Sequence, residues 1–201
     1  EVGPLRLPLV AATAEEAKEL LTTSGTTIIL HVKDEASDFL LEEKSKQVVT
    51  MYSNHISLPV YVGRKDDKAV NSASALWMKP KSEITEDQYN EFFAVASNSV
   101  GLDKPAVTSH WKAEGVIEYT ALLFVPTLRP WDLYDPTRRH AVRLYVRRVF
   151  ITDDCEGLIY PWLRFLRGIV DSEDLPLNIS RESLQHNHVV QKIRSGVAKR
   201  V

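Results

Sequence analysis

The stretch DSEDLPLNISRESLQ, Asp171 to Gln185, gathers the residue types in this chain best suited to chemistry. Three acids open it (Asp171, Glu173 and Asp174), Pro176 turns it, and a polar run follows where a helix should begin. Ser180 reads as an N-cap and Glu182 suits a first helical turn. Val190, Ile193, Val197 and Val201 then recur at helical spacing. Arg181 thereby falls in the first turn of the expected helix, beside backbone N–H groups that favour an anion. A guanidinium so placed suits phosphate; it stays protonated and so cannot serve as an acid or base. The plainer reading pairs Arg181 with Asp171, Glu173 or Asp174 at the surface, an arrangement worth little. Residue types alone favour that plainer reading.

The elements that must position this stretch can be read upstream of it. Thr13 and Glu16 form a capping box for a helix through Leu21, and 26–33 is β-branched and apolar, which predicts a largely buried strand. Asp38 can cap a second helix with Leu41, Lys44, Val48 and Tyr52 on one face, followed by an extended 57–62. Residues 63–74 are small, polar and charged, a linker composition. A second unit starts near Ala75. Its Thr85 and Gln88 make another capping box, and Tyr89, Phe92, Phe93 and Ala96 form the inner stripe of the helix that follows. Glu114-Gly115 predicts a hairpin between 106–113 and 116–125, and Pro126 and Pro130 bracket a loop. A strand is expected over 142–151, a short helix over 158–167 carrying Trp162 and Phe165, and a brief extended piece at Ile169-Val170. Trp77, Trp111 and Trp162 are expected in the core. Strands mixed with helices give an α/β (α+β) class: a mixed sheet flanked by helices on both sides.

Composition bounds the function. The chain has 201 residues, 44% of them hydrophobic, and a formal net charge of −2, so nothing in its overall charge draws it to nucleic acid or an acidic membrane. No apolar run is long enough to span a bilayer, and the acidic residues Glu1, Glu15, Glu16 and Glu19 do not resemble a secretory signal. A single cysteine fits a reducing compartment, and cytoplasm is the expected location. The eight glycines form no phosphate-cradling cluster, Walker A loop or dinucleotide fingerprint.

Other candidates favour structural readings. Arg138, Arg139, Arg143, Arg147 and Arg148 form a basic run, but Asp153, Asp154 and Glu156 follow, and solvent-facing arginines on a strand are the simpler reading. His186 and His188 diverge on a helix and do not suggest a metal pair. The acids around Cys155 should raise its thiol pKa rather than activate it. Trp131 and Tyr134 sit in an expected loop and read equally as core or as exposed apolar surface.

DSEDLPLNISRESLQ resembles the catalytic-loop segment of the ninety-kilodalton heat-shock chaperone family, most closely its bacterial HtpG type. Further segments resemble the family in its own order: Gly25–Lys33, Tyr52–Pro59, Ala75–Trp77, Lys81–Thr85, Tyr119–Pro126 and Leu144–Ile151. The likeness covers nearly everything from Gly25 to Val201, whereas residues before Gly25 match poorly. Ser183 stands where the family usually has Met or Ile, outside the phosphate-facing positions.

The resemblance implies an ATP-dependent chaperone with a split ATPase site. Residues 1–62 would be the tail of a nucleotide-binding domain, 63–74 a charged linker, and 75–201 the large part of a three-layer middle domain. Arg181 would reach the γ-phosphate, with Gln185 and Asn178 on the same loop and helix, and Thr26 would touch the adenine end. ATP and Mg²⁺ would be held by a part of the protein upstream of Glu1, so the chain reads as a fragment that binds no nucleotide and hydrolyses none alone. Trp131 and Tyr134 are candidates for contact with unfolded clients. The whole protein would be a homodimer that binds neither nucleic acid nor membrane. Two alternatives stay open: a non-catalytic client- or co-chaperone-binding module, and a relative among the DNA-repair and topoisomerase-type ATPases.

Overall fold

The computed structural model describes residues 28–63, 68–97, 103–130, 133, 141–176, 184 and 187–201. By internal contacts the chain divides into two units, Glu1–Leu40 and Leu41–Val201. Of the first unit, 28–33 is irregular and Asp34–Leu40 is a 3-10 helix with no buried residue. The expected buried strand over 26–33 is therefore absent from its described part: Ile28 is 77% exposed and Leu30 66%. A β-branched run becomes a strand only when another strand takes its hydrogen bonds, and residues 28–33 have no ladder partner among the described residues. The expected helix over 13–21 lies outside the described residues.

The second unit is built on a sheet of five strands in the order β1-β2-β5-β3-β4, where β1 is Pro105–Ala113, β2 Tyr119–Pro126, β3 Ala141–Val146, β4 Val149–Thr152 and β5 Arg167–Ser172. β1/β2, β2/β5 and β3/β4 are antiparallel, and β3/β5 is parallel. The sheet is mixed, as the alternation of elements implied. Its side chains alternate between two faces. One face carries Tyr119, Ala121, Leu123, Val142, Leu144, Val146 and Val170, and packs against Leu163 and against Val190, Ile193 and Val197 of the C-terminal helix. The other carries Leu122, Phe124, Tyr145 and Ile169, and packs against Trp77 and Phe93. These two clusters are the halves of a three-layer sandwich.

The helices follow their apolar stripes. α1 is Glu42–Ser53, α2 Glu86–Ser97 and α3 His188–Arg200. α2 opens on the predicted capping box. Gln88 N–H donates to Thr85 Oγ1 at 3.3 Å, and Thr85 N–H donates to Gln88 Oε1 at 3.1 Å. Phe93 at 0% exposure anchors α2 to the sheet, a burial worth roughly 1.5–3 kcal/mol. α3 begins at His188, with Asn187 Oδ1 accepting from Val189 N–H at 2.8 Å. α1 lies beside β4, with the Tyr52 and Phe150 rings 6.0 Å apart.

Further expectations change. The helix carrying Val190, Ile193 and Val197 begins at His188, capped by Asn187 rather than Ser180, and the helix expected over 158–167 is a single 3-10 turn at Pro161–Leu163. The strand foreseen over 142–151 is a hairpin, β3 and β4, whose turn residues Arg147 and Arg148 take positive φ of 49° and 67°. Such turns usually carry Asn or Gly, so no turn signal marked this one. Trp162 is not core but 63% exposed, in the 3-10 helix Pro161–Leu163, stacked on Tyr160. Pro161 opens that single turn, and 3-10 geometry sends Leu163 inward and Trp162 out. The 63–74 segment, composed like a linker, is pinned in its second half. Asn71 is buried, accepting from Val60 N–H at 2.7 Å and donating to Leu58 O at 2.9 Å.

Gly168 is where the sheet tolerates no side chain. Its φ is +125°, and a Cβ there would lie 2.1 Å from the Leu122 carbonyl oxygen on β2. Gly168→Ala should therefore destabilise the fold by more than about 3 kcal/mol, through strain and a forced separation of β2 from β5. Urea denaturation followed by circular dichroism measures it, and an unchanged midpoint would contradict the packing described here.

Candidate functional site

β5 is the central strand that leads into the stretch singled out from sequence, and Asp171, next to its last residue, has structural work. Asp171 is 2% exposed, not a surface ion. Its Oδ2 accepts from the Trp77 indole N–H at 2.8 Å, and both carboxylate oxygens lie 3.2 Å from Arg148 N–H. Burial pushes the Asp171 carboxyl above its ordinary value, while the two donors act against that rise. The same contacts explain the turn: Arg148 holds a left-handed conformation with its N–H fixed by Asp171, and Arg147 N–H donates to Ser172 O at 3.2 Å.

The network continues from Trp77. His110 Nε2 lies 2.8 Å from Trp77 O; a carbonyl only accepts, so this nitrogen carries the proton. Nδ1 is then the acceptor for the Tyr89 hydroxyl at 2.9 Å. Burial lowers the His110 pKa below its ordinary 6.5. Half-buried His55 stacks edge-on to Trp77, contacts Ser74 O at 2.8 Å, and is lowered for the same reason.

Beyond Asp171 the chain is braced as it leaves the sheet. Fully buried Ser172 accepts at its hydroxyl from Asp174 N–H and Leu175 N–H, both at 3.3 Å. Glu173 N–H donates to Glu118 O at 3.0 Å, and Glu118 N–H donates to the Asp174 carboxylate at 2.6 Å. Leu175 and Leu184 are each 1% exposed in the core. Asn178, Arg181 and Gln185 lie outside the described residues, as do Thr26, Trp131 and Tyr134; two of them, Asn178 and Arg181, fall between those buried leucines in sequence.

The remaining candidates resolve simply. Arg143 Nη2 reaches Val95 O at 3.4 Å and Arg147 Nε reaches Glu173 O at 3.3 Å, so these members of the basic run bind backbone carbonyls; Arg138 and Arg139 are outside the described residues. Cys155 is buried, and burial, with Asp154 adding to it, pushes its thiol up to about 12. It is no nucleophile at neutral pH. Among the described residues no cluster of His, Cys, Asp or Glu could hold a metal ion, and no helix is long and apolar enough to cross a membrane.

Two measurements test this network. Asp171→Ala would leave two donors without their acceptor and should cost roughly 2–5 kcal/mol of unfolding free energy by urea titration; a change within error would contradict the buried bonds. The histidines set a pH dependence. Their folded-state pKa values lie below 6.5, so the unfolded chain takes up protons first as pH falls. The histidines' contribution to stability should be nearly constant above 6.5 and decline below it, opposed at lower pH by Asp171 with its raised pKa, and His110→Gln should flatten the decline in calorimetric scans. An equal decline in that variant would remove His110 from the account.

Comparison with known proteins identifies the family. A family profile described as "Hsp90 protein" matches residues 63–201. The chain is similar to the "Chaperone protein HtpG" of Paramagnetospirillum magneticum, 52% identical over 179 residues, covering 88% of this chain and 28% of that protein. It is also 53% identical over 182 residues to the protein of that name from Rickettsia rickettsii (strain Sheila Smith), covering 89% of this chain and 29% of the relative. With the same description in Rickettsia bellii (strain OSU 85-389) it shares 53% over 180 residues. The chain thus spans less than a third of the length of these curated relatives. Both its profile match and its relatives show that this chain belongs to the Hsp90 family, in its HtpG-type branch.

Proposed function

We propose that this chain is the middle-domain part of an ATP-dependent chaperone, supplying one arginine to an ATPase site completed elsewhere in the longer protein. The observation that carries the reading is DSEDLPLNISRESLQ within a chain about half identical to HtpG chaperones over most of its length. In this reading 1–62 closes the nucleotide-binding domain, 63–74 joins the two parts, and 75–201 is the large middle-domain unit. Its partners are the preceding ATP domain, a second copy of the whole protein, and unfolded clients touching Trp131 and Tyr134. Its setting is the cytoplasm.

ATP with Mg²⁺ would supply the γ-phosphoryl group and the metal charge, both held by the preceding domain, with Thr26 at the adenine end. Arg181 would meet the negative charge that builds on the phosphoryl oxygens. A planar guanidinium suits that task, because it offers paired donors and keeps its charge. Gln185 and Asn178 would orient, being uncharged. The isolated chain would then hold no nucleotide and hydrolyse none. What supports the reading is the described chain leading toward Arg181: residues 172–175 are braced by Ser172 and by Glu118 as they leave the central strand, and steady placement is what electrostatic catalysis requires.

The test is ATP turnover by the full-length protein carrying Arg181→Ala. The rate should fall ~10-fold to ~1000-fold, while ATP affinity and melting temperature stay near parental values. Arg181→Lys should recover part of the loss, and Gln185→Ala should be milder. A folded Arg181→Ala protein that turns over ATP at the parental rate would replace this reading with a non-catalytic client-binding module.

A further inference from the structure

One corner of the molecule joins an exposed tryptophan, a stacked tyrosine and an arginine that lacks an acceptor. Trp162 is 63% exposed, yet it is held in place: its ring centre lies 5.8 Å from that of Tyr160, at an interplanar angle of 16°. The Arg194 guanidinium carbon sits 4.8 Å from the centre of the same Tyr160 ring. Tyr160 thereby links the 3-10 turn Pro161–Leu163 to α3.

Arg194 Nε is, among the described residues, the one buried side-chain nitrogen or oxygen with no hydrogen-bond partner. The face of Tyr160 attracts the charge but gives that N–H no oxygen to bond. A buried donor left in this state is costly, and no carboxylate among the described residues pairs with Arg194. The charge around it is one-sided. Residues 157–168 and α3 contain no acid, and they carry Arg164, Arg167, Lys192, Arg194, Lys199 and Arg200. Arg167 is turned to Leu166 O at 3.3 Å. The loop leaving β4 carries Asp153, Asp154 and Glu156, so an incoming carboxylate is favoured on the α3 side of the corner.

Tryptophan, tyrosine and arginine are the residue types that anchor interfaces, and a ring already held in place loses little freedom when a partner covers it. We propose that Tyr160, Trp162 and Arg194 form a docking site for an acidic, extended peptide segment. An apolar side chain of the segment covers the Trp162 ring, and a carboxylate two residues away meets the Arg194 guanidinium. In an extended chain, residues two apart point to the same side. The site uses different residues from Trp131 and Tyr134, and it does not rest on the catalytic role of Arg181.

Calorimetric titration of this chain with a capped hexapeptide of repeating Glu-Gly-Phe tests the proposal, beside Lys-Gly-Phe and Glu-Gly-Ser peptides of the same length. The first should bind more tightly than either of the others, and rising salt should weaken it. Trp162→Ala and Arg194→Gln should each weaken binding about 10-fold or more, and Arg194→Lys should recover part of the arginine loss. Trp162→Ala should keep a melting temperature near the parental one, because its ring is mostly exposed. Parental affinity in that folded variant overturns the proposal, as does failure of the Glu-Gly-Phe peptide to bind. Equal binding of the lysine peptide overturns it too, since the corner would then be sticky without reading charge. Tighter binding of an oligothymidylate would replace the peptide site with a nucleic-acid surface. If Arg194→Gln loses its fold, salt decides the part played by charge: an affinity for Glu-Gly-Phe that does not change with salt overturns the proposal.

Discussion

A carboxylate with almost no access to water holds this structure together at its centre. Asp171 joins three segments far apart in sequence: the short helix of Trp77, the last residues of β5, and the turn between β3 and β4. Burying an ion is costly, and the raised pKa records that cost. The return lies in specification. A hydrophobic contact tolerates sliding, whereas an indole N–H and a turn N–H meeting one carboxylate fix register and orientation together. The left-handed pair Arg147-Arg148 is tolerable because the carboxylate and Ser172 O take both N–H groups.

That clamp sits where position matters most. β5 is flanked by an antiparallel neighbour on one side and a parallel one on the other, and both faces of the sheet are covered. A segment leaving the end of such a strand inherits its rigidity. Leu175 and Leu184 are both buried in the core cluster on one face of the sheet. The fold thus makes the end of β5 a braced exit from the sheet.

What could be read from sequence followed local rules. The Thr85–Gln88 capping box, the inward stripe of α2 and the β1–β2 hairpin were legible because each depends on residues close together in the chain. The sheet class followed from alternation, and the family from ordered motifs. What was illegible depended on distant partners. Asp171 reads as one of three surface acids until Trp77 arrives from the other end of the domain. The Arg147-Arg148 turn carries no turn residue, so an unbroken strand was the natural reading. Ile28 to Lys33 has strand composition without a partner strand, and propensity alone did not make it one. Trp162 shows the reverse, a large aromatic that packing leaves outside. Asn178, Arg181 and Gln185 were legible through ordered family motifs, and the chain leading to them is braced by contacts that no local pattern announces.

The outer strand β1 deserves a last consequence. Its pairing with β2 shifts register between Pro105 and Val107, and it carries Lys112 near the far end. Proline removes a donor, a bulge twists the strand away from flatness, and the Lys112–Glu114 ion pair puts charge at its far end. An edge strand so equipped is a poor template for another chain's backbone. In crowded solution, this edge of the sheet resists being extended into fibrils by another copy's strand.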